Sequence, residues 1–209
     1  MPHILLAGYL GCGNLGDDAV MLGLLHTLGD EYEPTVLAGN PGETNRRYGV
    51  RTVDRRSRKA VQEAIAQADA LVFPGGSVFQ DATSVRSVAY YTALVRQERQ
   101  AKRAGKRVVL VGQGLGPVRT FFGRRLTAAA FNAADAITVR DGDSARFLKD
   151  LGVTKAVRIG ADSALLLPSP PGDAEGKYSV GGMQSVAIAP RPFVGKSGKR
   201  GDAAHLFGE

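Results

Sequence analysis

Tryptophan is absent from the 209 residues, cysteine occurs once, and histidine and methionine three times each. A single thiol, Cys12, cannot close an intramolecular disulfide, so a disulfide-stapled secreted fold is excluded and a reducing compartment fits. With one cysteine and isolated histidines there is no metal-ligand spacing, and no metal site is expected. Aromatics make up only 7% of the chain and are not interleaved with the basic residues as a base-stacking surface requires, so nucleic acid is not the expected partner. No apolar run approaches the ~20 residues that span a bilayer, and no charged, apolar, small-residue leader opens the chain. The expectation is a cytoplasmic protein.

What is present suits a folded domain: 44% hydrophobic and 22% charged residues, with a formal charge of +7. The excess favours anionic partners without choosing among them. Much of it lies between Arg46 and Lys59, where seven basic residues face only Asp54. Two readings stay open for that stretch: a solvated basic loop and helix start, or a surface meeting a membrane-borne anionic substrate.

The most informative stretch is Gly8 to Val20, GYLGCGNLGDDAV, between the apolar run His3 to Ala7 and the periodic segment Val20, Met21, Leu24, Leu25, Leu28. It reads as strand, glycine loop and helix start, capped by Asn14 or Asp17, with backbone N–H groups and a helix dipole presented to a ligand. Gly11, Gly13 and Gly16 spell G-x-G-x-x-G. Two features argue against a dinucleotide: Gly39 and Asn40 stand where a ribose-binding acid belongs, and Asp17 and Asp18 would repel a pyrophosphate. Cys12, without a histidine beside it in sequence, reads as loop filler rather than nucleophile.

Strands are predicted over 3–7, 35–38, 70–73, 107–111, 136–139 and 156–159, and helices over 17–28, 57–67, 85–104, 122–134 and 143–151. This alternation predicts an α/β fold, a Rossmann-like doubly wound parallel sheet with helices on both faces. Ligands of such sheets bind beyond the carboxyl ends of the strands. There the sequence places three glycine-rich loops: Pro74 to Asp81, Gly112 to Pro117, and Arg140 to Ser144. Composition then changes. Residues 1–167 form the predicted first domain, 168–182 a Pro/Gly linker, and 183–209 the start of a second domain, with a strand expected over Ser185 to Ala189.

The runs GYLGCGNLGDDAVMLGLL, FPGGSVFQDATSVRSVAYY, GQGLGP and AITVRDGDSARFLKDLGV followed by ADSAL together resemble the polysaccharide pyruvyl transferase family, in its CsaB branch. The resemblance implies the first half of a GT-B-like two-domain enzyme whose second domain is truncated here. It implies transfer of pyruvate from phosphoenolpyruvate, as a cyclic ketal, onto a sugar of a lipid-linked cell-wall polysaccharide precursor that serves S-layer anchoring. Phosphoenolpyruvate is the donor substrate and no cofactor is implied. Peripheral contact with the inner membrane face follows from such an acceptor.

Carried over by residue, Arg140 matches the arginine that holds phosphoenolpyruvate. Asn14, Asp17 and Asp18 match the front-loop motif assigned to acceptor hydroxyls, with Asp17 as general base. Gly75, Gly76, Ser77 and Gln113 match the cleft-floor motifs. The family's further donor contacts, a histidine and a basic residue, belong to the second domain, and His205 does not take that role. Little or no turnover is therefore expected of this chain alone. Rival readings are a nucleotide-sugar glycosyltransferase or epimerase of related architecture, and a non-catalytic module gripping glycan or anionic lipid through 46–59.

Overall fold

The structure, a computed structural model, describes residues 1–79, 85–116 and 118–168 and the strands at 193–194 and 200–201. The side chains of 77, 78, 85–87 and those last two strands fall outside the description. Two compact units are present, Met1–Leu167 and Pro168–Glu209. In the second, Phe193–Val194 pairs antiparallel with Arg200–Gly201. Apart from Pro168, the expected linker and the strand expected over Ser185 to Ala189 lie outside the described residues.

The first unit runs β1 (His3–Leu6), α1 (Leu15–Leu28), β2 (Glu33–Ala38), α2 (Pro41–Tyr48), β3 (Arg51–Asp54), α3 (Arg58–Gln67), β4 (Ala70–Phe73), β5 (Gly76–Phe79), α4 (Val85–Arg103), β6 (Arg107–Leu115), α5 (Phe121–Ala133), β7 (Ala136–Val139), α6 (Gly142–Asp150) and β8 (Arg158–Ile159). The sheet order is β3-β2-β1-β4-β6-β7-β8, with β5 beside β6, and every pairing in it is parallel. The α/β doubly wound architecture is therefore as expected. Parallel strands buried on both faces read as continuous apolar runs, and alternate side chains divide between two cores. Leu5, Leu37, Leu71, Phe73, Val108 and Ile137 pack under α3, α4, α5 and α6. Ile4, Leu6, Val36 and Val72 pack against Met21 and Leu24 of α1 on the other face.

Helix starts follow their capping residues. Ser57 Oγ accepts from Ala60 N at 3.3 Å, Thr120 Oγ1 from Gly123 N at 3.2 Å, and Asp141 Oδ1 from Ser144 N at 2.7 Å, each satisfying an N–H that the helix leaves open. α1 packs behind the sheet against the short 3-10 turn Ser163–Leu166. A Cβ built on Gly23 would lie 1.9 Å from the Ser163 carbonyl oxygen, so only glycine permits that approach.

Four elements depart from the sequence-based assignment. The stretch Gly112 to Leu115, expected as a loop, completes strand β6. Gln113 pairs with Gly76 on one side and Val139 on the other, and these two partners hold a glycine-rich segment extended despite its low strand propensity. Gly112 takes φ 55° where the β7 register shifts. Strand β5 and the pair α2–β3 were not anticipated. β5 continues the line of β4 beyond an interruption at Pro74 and Gly75, pairing with the upper half of β6 as β4 pairs with the lower.

Candidate functional site

All strands of the large sheet being parallel, the loops that follow them emerge along one sheet edge. The strand order reverses between β1 and β4, whose neighbours are β2 and β6. Such a switch point opens a crevice, and here the front loop and the Pro74–Gly76 break both sit at it.

The front loop is tied down at each polar residue. Asn14 caps α1, its Oδ1 accepting from Gly16 N at 3.1 Å, and is itself exposed. Asp18 is 5% exposed, one oxygen accepting from Gly11 N and the other from the Tyr48 hydroxyl, both at 3.0 Å. It thus clamps the loop to α2. Burial, followed by that hydrogen bond to Asp18, raises the Tyr48 hydroxyl above its ordinary pKa. Asp17 is half-buried and leans toward the break after β4: a Cβ on Gly76 would meet its Oδ1 at 3.0 Å. Gly75 and Gly76 have φ of 113° and 84°, values that glycine adopts without strain. Ser77 follows in β5, with its side chain outside the described set.

Further along the rim, Gln113 is fully buried. Its amide donates to the Phe73 carbonyl at 2.9 Å and the Val111 carbonyl at 3.1 Å, joining the end of β4 to β6. Its side-chain oxygen has no hydrogen-bond partner among the described residues. The next residue, Gly114, carries the Arg140 guanidinium: a Cβ there would fall 2.4 Å from Arg140 Cζ. Arg140 leaves β7 one residue after Val139, and its Nη1 meets Asp162 Oδ2 at 3.1 Å and its Nε meets Asp141 Oδ2 at 3.6 Å. Hydrogen bonds from Ser144, with a smaller contribution from Arg140, hold the Asp141 carboxyl below its usual range. The arginine side chain is 36% exposed, neither buried away from the rim nor free of it.

At the other end the structure assembles a pocket that the sequence reading missed. A cavity of about 390 Å³ lies over β1, β2 and β3, walled by Tyr9, Asn40, Arg47, Tyr48, Arg55 and Arg56 around the clamped loop. The Arg55 guanidinium sits 5.2 Å from the Tyr9 ring centroid and 4.6 Å from that of Tyr90, within cation–π range. Its Nη1 also lies 3.0 Å from Cys12 Sγ and 3.4 Å from the Gly8 carbonyl oxygen. The basic run 46–59 accordingly does not form one face. Arg47, Arg55 and Arg56 line this pocket, Arg51 pairs with Glu33, and Lys59 pairs with Glu63. A basic run with tyrosines elsewhere in the chain was the available signal, but only folding brings Tyr9, Arg55 and Tyr90 together.

The predicted residues therefore fall along one edge: Asn14, Asp17 and Asp18 at the start of α1, Gly75 and Gly76 beneath Asp17, Gln113 under the floor, and Arg140 over Gly114. Among the described residues no group of three His, Cys, Asp or Glu is placed to hold a metal, and no helix is long and apolar enough to cross a membrane.

The chain is an α/β Rossmann-like protein whose switch point carries a clamped glycine loop and paired carboxylates, with an arginine further along the same rim. More narrowly, the family model for polysaccharide pyruvyl transferase matches residues 14–204, and the chain belongs to that family. No curated protein is a significant match to it.

Proposed function

We propose that this chain supplies the first half of an active site that moves pyruvate from phosphoenolpyruvate to a sugar of a cell-wall polysaccharide precursor, as a cyclic ketal, at the cytoplasmic side of a membrane. The acceptor is the lipid-linked glycan of the CsaB branch, and the enzyme is GT-B-like. The observation that supports the reading most is the seat of Arg140, a half-exposed guanidinium laid over a glycine at the carboxyl end of β6.

Phosphoenolpyruvate carries a carboxylate and a phosphate, and a guanidinium engages either through two parallel N–H donors. Asp162 and Asp141 fix the fork in place, and the donor anion shares it. In the reaction a proton adds to the enol methylene carbon and leaves an oxocarbenium-like C2. A sugar hydroxyl attacks C2 and loses its proton, the bond from C2 to the phosphate oxygen breaks, inorganic phosphate departs, and a second hydroxyl closes the ring with loss of its own proton. Asp17 is the proposed base for the attacking hydroxyl, since it leans over the Gly75–Gly76 floor. Asn14 offers hydrogen bonds to the acceptor at the exposed tip, while Asp18 and Gln113 serve by holding loop and floor in shape.

Ligand-induced stabilisation tests the reading without requiring turnover. Phosphoenolpyruvate is expected to raise the melting temperature of the chain and a nucleotide-sugar to leave it unchanged. The reverse result would move the protein to the nucleotide-sugar glycosyltransferases.

A further inference from the structure

A second concavity, of about 750 Å³, lies away from the rim, between α3, α4 and α5. Val95, Phe122 and Leu126 give it an apolar lining, and exposed Arg58, Arg96, Arg99 and Arg103 stand around it. The last three stand at i, i+3 and i+7 of α4 and so form one row on that helix. None of the four arginines makes an ion pair with a carboxylate among the described residues. At the start of α5, Phe121 and Phe122 are 75% and 62% exposed. Arg125 stacks on Phe121 with its Cζ 5.5 Å from the ring centroid, and Arg124 lies beside the same residue.

We propose that this α3–α4–α5 face is where the protein docks on an anionic lipid bilayer. The arginine row faces the headgroup phosphates, and Phe121 and Phe122 enter the acyl boundary. Adjacent exposed aromatics flanked by cations match the physical requirement for interfacial binding, which combines buried apolar area with attraction to anionic lipid. An unpaired cationic rim calls for an anionic partner, and the apolar lining with the exposed Phe121 and Phe122 calls for one that also brings chains or apolar groups. A bilayer meets both demands with no further polar complementarity. This face shares Arg58 with the stretch 46–59 but is otherwise distinct from it, since Arg47, Arg55 and Arg56 turn to the pocket and Arg51 to Glu33.

The experiment is co-sedimentation of the full chain with phosphatidylglycerol vesicles and with phosphatidylcholine vesicles, with neither donor nor acceptor present, so its outcome is independent of the donor chemistry proposed above. Binding is expected to the first and not the second, and to weaken as salt rises from 0.1 to 0.5 M. Arg96→Glu with Arg99→Glu, and separately Phe121→Ser with Phe122→Ser, should each weaken it about tenfold or more. Arg46→Glu with Arg51→Glu makes the same change in net charge elsewhere and should leave it within about twofold if position decides. Two independent pairs keep the test open should one fold poorly on a circular-dichroism melt. Absence of wild-type binding, equal loss in the comparator, or no loss in either groove pair would overturn the proposal. So would retained vesicle binding in a Phe121→Ser, Phe122→Ser protein whose sedimentation mass has dropped, which would assign the face to a second copy of the chain.

Discussion

The two ends of the rim hold a guanidinium in opposite ways. Over β1–β3, Arg55 is gripped by tyrosine rings, a thiol and a carbonyl oxygen, and none of these cancels its charge. Over β6–β7, Arg140 is gripped by Asp162 and Asp141, which offset much of it until a stronger anion arrives. The first arrangement is a fixed cationic wall. The second is a positioned fork, and on the proposed reading the donor anion shares it with these two carboxylates.

The frames around them differ as well, and substitutions can expose that. The front end depends on a buried carboxylate, so Asp18→Ala leaves Gly11 N and the Tyr48 hydroxyl without their acceptor. A denaturant melt should show a loss of about 2–3 kcal/mol, the range for unsatisfied buried partners of a charged group; a loss below ~0.5 kcal/mol would mean the loop needs no such clamp. At the far end the contact is with the end of a flexible side chain. Gly114→Ala should therefore leave stability within about 1 kcal/mol while displacing the guanidinium and weakening phosphoenolpyruvate binding about tenfold by calorimetry. Equal damage to both would erase the contrast.

A smaller effect lies behind the rim and serves as a control on both ends. Glu98 on α4 is 1% exposed, with one carboxylate oxygen lacking a partner among the described residues. Burial, opposed by Arg99 and Lys102, pushes its pKa up to about 8 from 4.5. The folded state thus keeps a proton that the unfolded chain releases. Stability from this group is fullest below the unfolded pKa and declines as pH rises toward 8, beyond which the penalty is constant. Glu98→Gln should flatten that decline and stabilise the protein on the order of 1 kcal/mol at pH 8 to 9, with little change at pH 5. Parallel pH profiles for mutant and wild type would show that the carboxyl does not titrate as its burial demands.

How much was legible in the sequence follows from where each signal is written. The β1, α1, β4 and α5 segments announced themselves by apolar runs or helical periodicity, and Asn14 by capping chemistry. Helix α2 escaped because it buries only Thr44, leaving no apolar stripe to count, although Asn40 caps it and Pro41 sits in its first turn. Strand β3 was hidden inside a basic run, its end residues exposed. The upper half of β6 was hidden by glycines that read as a turn until its partners are known. The rim positions of Arg140, Gly75 and Gly76 were readable because each follows closely on a predicted strand. The pocket formed by Tyr9, Arg47 and Arg55 was not, because those residues meet through packing between elements dozens of positions apart.

The proposed transfer requires Arg140 to act on the donor rather than only tie β7 to the segment around Asp162. Isothermal titration of phosphoenolpyruvate into wild type, Arg140→Ala and Arg140→Lys at one pH and salt concentration tests this most directly. The expected result is an affinity about 100-fold weaker in the alanine variant and an intermediate value in the lysine variant, which keeps the charge and loses the fork. Equal affinity in all three proteins would contradict it.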